Sequence, residues 1–341
     1  LNGWLAELKD SRDPSLRDAA VKVIPMFGPE ARRPALEPLL AALNRERDPG
    51  VRMNVINLLG VIGAENAEQA KRISNALALA LARTAPGAPS RLNLVRALAT
   101  YGPDASSALP EVLSIITDPA WETRRAAAFA LGRLGLPSDA KSGPNARAMQ
   151  ALVNTLLKDD SAAVRLEAVQ SLILLGPPAY KDPSEYPALI KPYLTPVMDR
   201  QKVEKDKAVQ IWLQVLVMRY DGTQLTDQNI LKLAESISST DPAARYHALT
   251  ALGMLGPQAK PAVPQIAAAL AFDEPDLVIA ALATLATLGE HANQALPELH
   301  RFKGLVKDEG LKQVVDETID VVSGKKKPQP PAPPPPADKI P

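Results

Sequence analysis

The chain has 341 residues, 46% of them hydrophobic but only 4% aromatic, so it can bury a long core built from Ala, Leu and Val rather than from large rings. With no cysteine, it excludes disulfides, thiolate catalysis and Cys-ligated metals. The formal charge of +1 is spread as +4, −1, −4 and +2 over three successive hundreds and the last 41 residues, with Lys and Arg interleaved among Asp and Glu, which argues against the continuous basic stripe of a nucleic-acid binder.

Taken from the N-terminus, the first strong signal is Asp13-Pro14, followed by Arg17, an apolar stripe and Gly28. The same spacing returns at Asp48-Pro49, Arg52 and Gly63, and again at Asp241-Pro242, Arg245 and Gly256. An Asp before Pro caps a helix, because its carboxylate accepts from free N–H groups of the first turn while Pro fills a position that needs no donor. The Gly fifteen residues later closes the helix, and at Gly28, Gly102, Gly176 and Gly256 a Pro follows and forbids continuation. Between the two signals apolar residues recur at helical spacing, as in Val164, Ala168, Leu172 and Leu175. A second helical segment begins soon after each Gly, marked by Pro110, Pro264 and Pro297, each eight residues beyond its glycine.

Closing glycines at 28, 63, 102, 135, 176, 222, 256 and 289 give intervals of 33 to 46 residues, with the two longest in the middle of the chain. Gly60 and Gly132 read as helix ends. The copy closing at Gly135 has two extra residues before Arg124; the unit around 200–222 is degenerate, with Ile211 where Arg is expected; and in the copy closing at Gly289, Glu274-Pro275 replaces Asp-Pro and Val278 replaces Arg. Residues 308–323 read as a terminal cap. A repeat of this size is a supersecondary unit that buries its apolar face only by stacking, so residues 1–323 are predicted to form one all-α array of about eight to nine helical pairs. Beyond it, 324–341 holds Lys325, Lys326, Lys327 and eight prolines, the composition of a disordered, polyproline-prone tail.

The stretches Asp241 to Leu270 and Ser161 to Ala179 closely resemble HEAT repeats, in particular the bacterial PBS-lyase HEAT-like subgroup, and the resemblance extends over nearly all of residues 4–323. It implies a right-handed α-α superhelix that binds protein or peptide partners without catalysis. It also implies a structural ladder between units, carried by Asp13, Arg17, Asp48, Arg52, Arg91, Arg124, Arg165, Asp241 and Arg245, with the ladder in doubt at Ile211 and Val278. Two alternatives stay open: a bilin-lyase-like accessory, since phycobilin lyases share the subgroup, and weak nucleic-acid binding by the N-terminal repeats.

Chemistry-bearing signatures are absent from the sequence. Deoxyhypusine hydroxylase, also built from such repeats, takes its di-iron site from His-Glu pairs, whereas none of His247, His291 and His300 is followed by Glu. There is no phosphate-binding Gly-Lys-Ser/Thr, no Gly-x-Ser-x-Gly elbow and no run long enough to span a bilayer, so no cofactor, metal or catalytic residue is expected. Four of the six tyrosines, Tyr180, Tyr186, Tyr193 and Tyr220, lie between 180 and 220, where the repeat spacing is longest; they form the expected binding patch, while Trp212 is expected to fill a wider gap between units. Trp4 and Trp121, near repeat starts, are assigned no role. The start at Leu1 rather than Met suggests a removed leader, which sets export to the periplasm or a lipid anchor beside a cytoplasmic location.

Overall fold

The structure, a computed structural model, describes residues 1–137, 143–176 and 187–328, with the side chains of 187–191 left aside. All its regular elements are helical among these residues. The chain divides into two compact units, 1–171 and 172–341.

In the first unit, α1 (Asn2–Asp10) precedes α2 (Pro14–Val23), α3 (Arg32–Arg45), α4 (Pro49–Val61), α5 (Ala67–Ala82), α6 (Pro89–Ala99), α7 (Leu109–Ile115), α8 (Trp121–Leu134), α9 (Ala146–Lys158) and α10 (Ala162–Leu175), which carries the chain across the division. α2, α4, α6 and α8 pack side by side in one layer; α1 packs on α2 and α3, and α3, α5, α7 and α9 pack in succession as the second layer. The core between the layers is Leu, Ile, Val and Ala, with Leu39, Leu59, Leu77, Leu98 and Leu131 fully buried.

The second unit repeats the plan with α11 (Pro187–Val203), α12 (Lys207–Tyr220), α13 (Asp227–Ala234), α14 (Pro242–Leu255), α15 (Val263–Ala268), α16 (Pro275–Leu288), α17 (Leu296–Leu305) and α18 (Glu309–Val322). Here α12, α14, α16 and α18 form one layer, with α11, α13, α15 and α17 against it.

Local signals act as the sequence predicts. Asp13 Oδ1 accepts from Ser15 N at 2.8 Å, Asp48 from Val51 N at 2.9 Å and Asp241 from Ala243 N at 3.0 Å, so each carboxylate satisfies an orphan donor of the helix it starts. Pro110, Pro264 and Pro297 sit in the first turns of α7, α15 and α17. Gly256 closes α14 with φ 56, in the left-handed region that glycine adopts without steric cost, and a short 3-10 stretch leads into α15. Three predicted closing glycines differ, Gly176 among them, which does not adopt a positive φ. Gly135 stays near helical geometry at φ −80, and Gly222 opens a 3-10 turn one residue after Asp221 has ended α12.

Gly60 and Gly132 are not helix ends. Both lie inside helices at points of close approach: a methyl group at Gly60 would meet the Ala97 Cα at 3.0 Å, and one at Gly132 would lie 2.5 Å from Ser171 Oγ and 3.1 Å from its Cα. Ser171 Oγ donates to Ala128 O at 3.0 Å, which fixes the serine against α8. Gly132→Val is therefore expected to destabilise the first unit by about 1–3 kcal/mol through overpacking, seen as a lowered urea midpoint, while the same change at solvent-facing Gly3, which has nothing within 4 Å, leaves packing unaltered.

The Lys/Pro-rich tail does not leave the fold at Gly324. Lys326 N donates to Asp320 O at 3.0 Å, and Pro328 lies against Gly289, where an added methyl group would meet its Cγ at 3.1 Å. Residues 329–341 lie outside the described part of the chain.

Candidate functional site

Four of the expected ladder arginines, Arg17, Arg91, Arg124 and Arg245, pair with acids of the next repeat, none of them an expected Asp. Arg17 on α2 reaches the segment entering α4 and forms a bidentate pair with Glu46, at 2.7 and 2.8 Å, rather than with Asp48. Glu46 Oε1 also accepts from the amides of Arg47 and Asp48, both at 2.9 Å, and the hydrogen bond from Arg17 outweighs burial to hold its carboxyl below the usual range. Division of labour explains the shift: Asp48 is committed to its own helix, so the acid two residues earlier serves the neighbouring repeat. Asp13, Asp48 and Asp241 are thus caps and not rungs.

Further along, Arg91 donates to Asp118 at 2.6 Å and Arg124 forms a bidentate pair with Asp159 at 2.7 and 3.0 Å, each bond linking one repeat to the next. In the second unit Arg245 pairs with Glu274, which caps no helix and leaves its carboxylate for the arginine. Arg52 has no such partner among the described residues; its Nε donates to Leu43 O at 3.4 Å, and residues 83–88, which enter α6, contain no acid. Arg165 donates to the carbonyls of Asp159 and Asp160, both at 2.9 Å. Arg124 likewise reaches back to Asp118 O at 3.0 Å, so these arginines also close the turn before their own helix.

In the degenerate unit the Arg position is misread from sequence. Asp206 caps α12 through Val209 N at 3.0 Å, and the residue four after it is Gln210, whose Nε2 donates to Glu204 O, as Arg124 does to Asp118 O. Ile211 is a buried core residue.

Of the four tyrosines of the expected patch, two can be placed. Tyr180 and Tyr186 lie outside the described residues. Tyr193 is half-buried on α11. Tyr220 is 6% exposed at the end of α12: its hydroxyl donates to Leu172 O at 3.4 Å, its ring lies where a Cβ on Gly176 would be, and burial drives its pKa up. A side chain so enclosed is core, not a contact for a partner. Trp212 is fully buried, as expected of a gap filler, and its Nε1 donates to His247 Nδ1 at 3.0 Å.

Close to the predicted region the second unit instead opens a groove of about 450 Å³ between the end of α11 and α13, with α12 as its floor. Amides dominate its wall: Gln201 from α11, Gln210 and Gln214 from α12, Gln224 from the turn after it and Asn229 from α13. Lys202, Lys232, Val217 and Met218 complete its lining, and among the described residues no carboxylate and no aromatic ring lines it. Lys202 is tied to Asp199 at 2.8 Å, and Asn229 Nδ2 donates to Gln224 O at 2.8 Å. The signal was present in the sequence as a run of amides from 201 to 229, but tyrosine is the more familiar mark of an interface and drew the reading away from it.

Among the described residues no three His, Asp or Glu side chains come together as a metal site, and no helix is long and apolar enough to cross a membrane.

The family model for HEAT repeats matches residues 1–73 and 75–173. Among solved structures, importin beta aligns over 94% of this chain and 47% of its own, with a TM-score of 0.52 and 14% identity. Kap121p bound to Pho4p aligns over 95% and 42%, with a TM-score of 0.54 and 14% identity. The CpcE–CpcF complex of phycocyanin lyase from a Nostoc species aligns over 78% and 94%, at 0.48 and 20% identity. The chain spans less than half the length of importin beta and Kap121p, and at these identities the likeness is one of fold. No curated protein matches the sequence.

Proposed function

This chain belongs to the HEAT-repeat family, and from that premise we propose that it is a non-catalytic scaffold that holds a partner protein. The observation that carries the reading is where the polar groups are spent. Those with strong electrostatics, the arginines and acids of the ladder, are consumed in joining one repeat to the next, as in the Arg17–Glu46 and Arg124–Asp159 pairs. Among the described residues of the second unit, the groove is lined by neutral amides and two lysines, groups suited to hydrogen bonding rather than to acid–base or nucleophilic work.

Repeat stacks suit this task because each unit touches only its neighbours, leaving long continuous faces uncovered. A photoreactive phenylalanine placed singly at Lys22, Glu37 and Lys202, all exposed, tests the proposal in the cells that make the protein. Discrete protein adducts from at least one position are expected. Uniform failure at all three, with the protein folded and abundant, would count against a scaffold.

A further inference from the structure

We infer that the groove between α11 and α13 takes an extended, acidic stretch of a partner's main chain; this deepens the scaffold reading and rests on it. The first ground is hydrogen-bonding inventory. The side-chain amides of Gln201, Gln214 and Gln224 have no protein hydrogen bond among the described residues, and each offers two donors and an acceptor. A polypeptide backbone presents the matching alternation of one N–H and one C=O per residue.

Spacing is the second ground. Gln210 and Gln214 are four apart on α12, which sets them on one face of the helix about 5–6 Å apart. An extended chain repeats its side every two residues, about 6.5 Å, so successive amides along α12 can meet successive same-facing groups of a strand laid beside it. Gln210 gives its Nε2 to Glu204 O, while the side-chain amide of Gln214 has no protein partner among the described residues.

The third ground is what the lining lacks. No aromatic ring among the described residues lines the groove as a stacking platform for a nucleobase or a sugar face. Among the described residues no carboxylate lines the groove to hold a cation or a basic peptide, whereas Lys232 carries a charge with no ion-pair partner among them. Together these features select a backbone with a nearby Asp or Glu.

Selection from a library of random decapeptides against the full chain tests this directly. Acidic peptides are expected, with affinity falling at least tenfold when alternate residues are N-methylated, since this removes main-chain donors without removing side chains. The double variant Q201A/Q214A should lose at least tenfold, and K232A about fivefold at low salt, with the K232A difference shrinking as salt rises. Gln214→Glu, which keeps the side-chain shape, should repel the same peptides, and unaltered circular dichroism and urea midpoint establish that the variants are folded. Unchanged affinity in Q201A/Q214A, tolerance of N-methylation, or a selection yielding no binder that separates wild type from Q201A/Q214A would overturn the inference. Crosslinking from Lys22 or Glu37 would still report a partner in that case, so the groove can fail while the scaffold stands.

Discussion

Asp118→Ala is expected to destabilise the first unit by about 3–5 kcal/mol, the cost of stripping one partner from a buried ion pair. The Asp118 side chain has no exposed surface, and its two oxygens serve three donors: Arg91 Nη1 at 2.6 Å and Gly87 N at 3.2 Å on one, Ala120 N at 3.0 Å on the other. It therefore combines a rung, a loop tie and the start of α8 in one carboxylate. Removal leaves the Arg91 guanidinium, itself largely covered, facing a void. Burial alone would raise the Asp118 pKa, but Arg91 and the amides of Ala120 and Gly87 together hold it below the ordinary 3.8, so this stabilisation is intact above that pH and is lost as pH falls below it. Asp48→Ala is the internal comparison. Asp48 only caps its own helix, and about 1 kcal/mol is expected there. Urea midpoints followed by helical circular dichroism read both; a D118A loss no larger than that of D48A would show that the ladder contributes nothing beyond its caps.

The contrast between Asp48 and Asp118 also marks what the sequence could and could not disclose. Caps were legible because they are local: a carboxylate two or three residues from an N–H has one obvious task. Rungs were legible on the arginine side, since Arg17, Arg91, Arg124 and Arg245 all link to the next repeat. Their acids were not, because Glu46 and Asp48 compete at a separation of two residues and only the helix entry decides which carboxylate faces backward. Glycine carried two meanings that spacing cannot separate: Gly63, at φ 73, ends its helix, while Gly60 three residues earlier admits a neighbouring backbone. Tyr220 misled for a related reason. Its phenol invites a surface role, yet α12 is buried on nearly every side near its end, where Leu216, Val217, Met218 and Arg219 are covered as well. The run of amides from 201 to 229 was legible, but that Gln201, Gln214 and Gln224 lack side-chain partners among the described residues emerges only once the other described residues are placed.

The second unit should be sensitive to mild acid through one side chain. His247 is 4% exposed and accepts the Trp212 indole N–H on Nδ1 at 3.0 Å, which requires that nitrogen to be unprotonated. Desolvation lowers its pKa from 6.5 to about 4, against a weaker opposing pull from Asp206 and Asp241. A base with a depressed folded pKa stabilises the native state fully above its unfolded value and loses that contribution as pH falls toward the folded one. Up to about 3 kcal/mol is therefore expected to disappear between pH 6.5 and 4, most of it above about pH 5, where ordinary carboxylates are still ionised. His247→Gln, which retains an acceptor for the indole but does not titrate, should flatten the urea midpoint between pH 7 and 5. Trp212→Ala should cost about 3–5 kcal/mol at neutral pH, because a fully buried indole is replaced by a cavity and His247 loses its donor. Trp212→Phe separates the two terms: it keeps most of the volume, removes the donor, and leaves Nδ1 free to take a proton, so its acid transition should move to higher pH than that of the wild type. If H247Q and wild type track each other from pH 7 to 5, the histidine is not the group that titrates, and the coupling assigned to the Trp212–His247 pair is wrong.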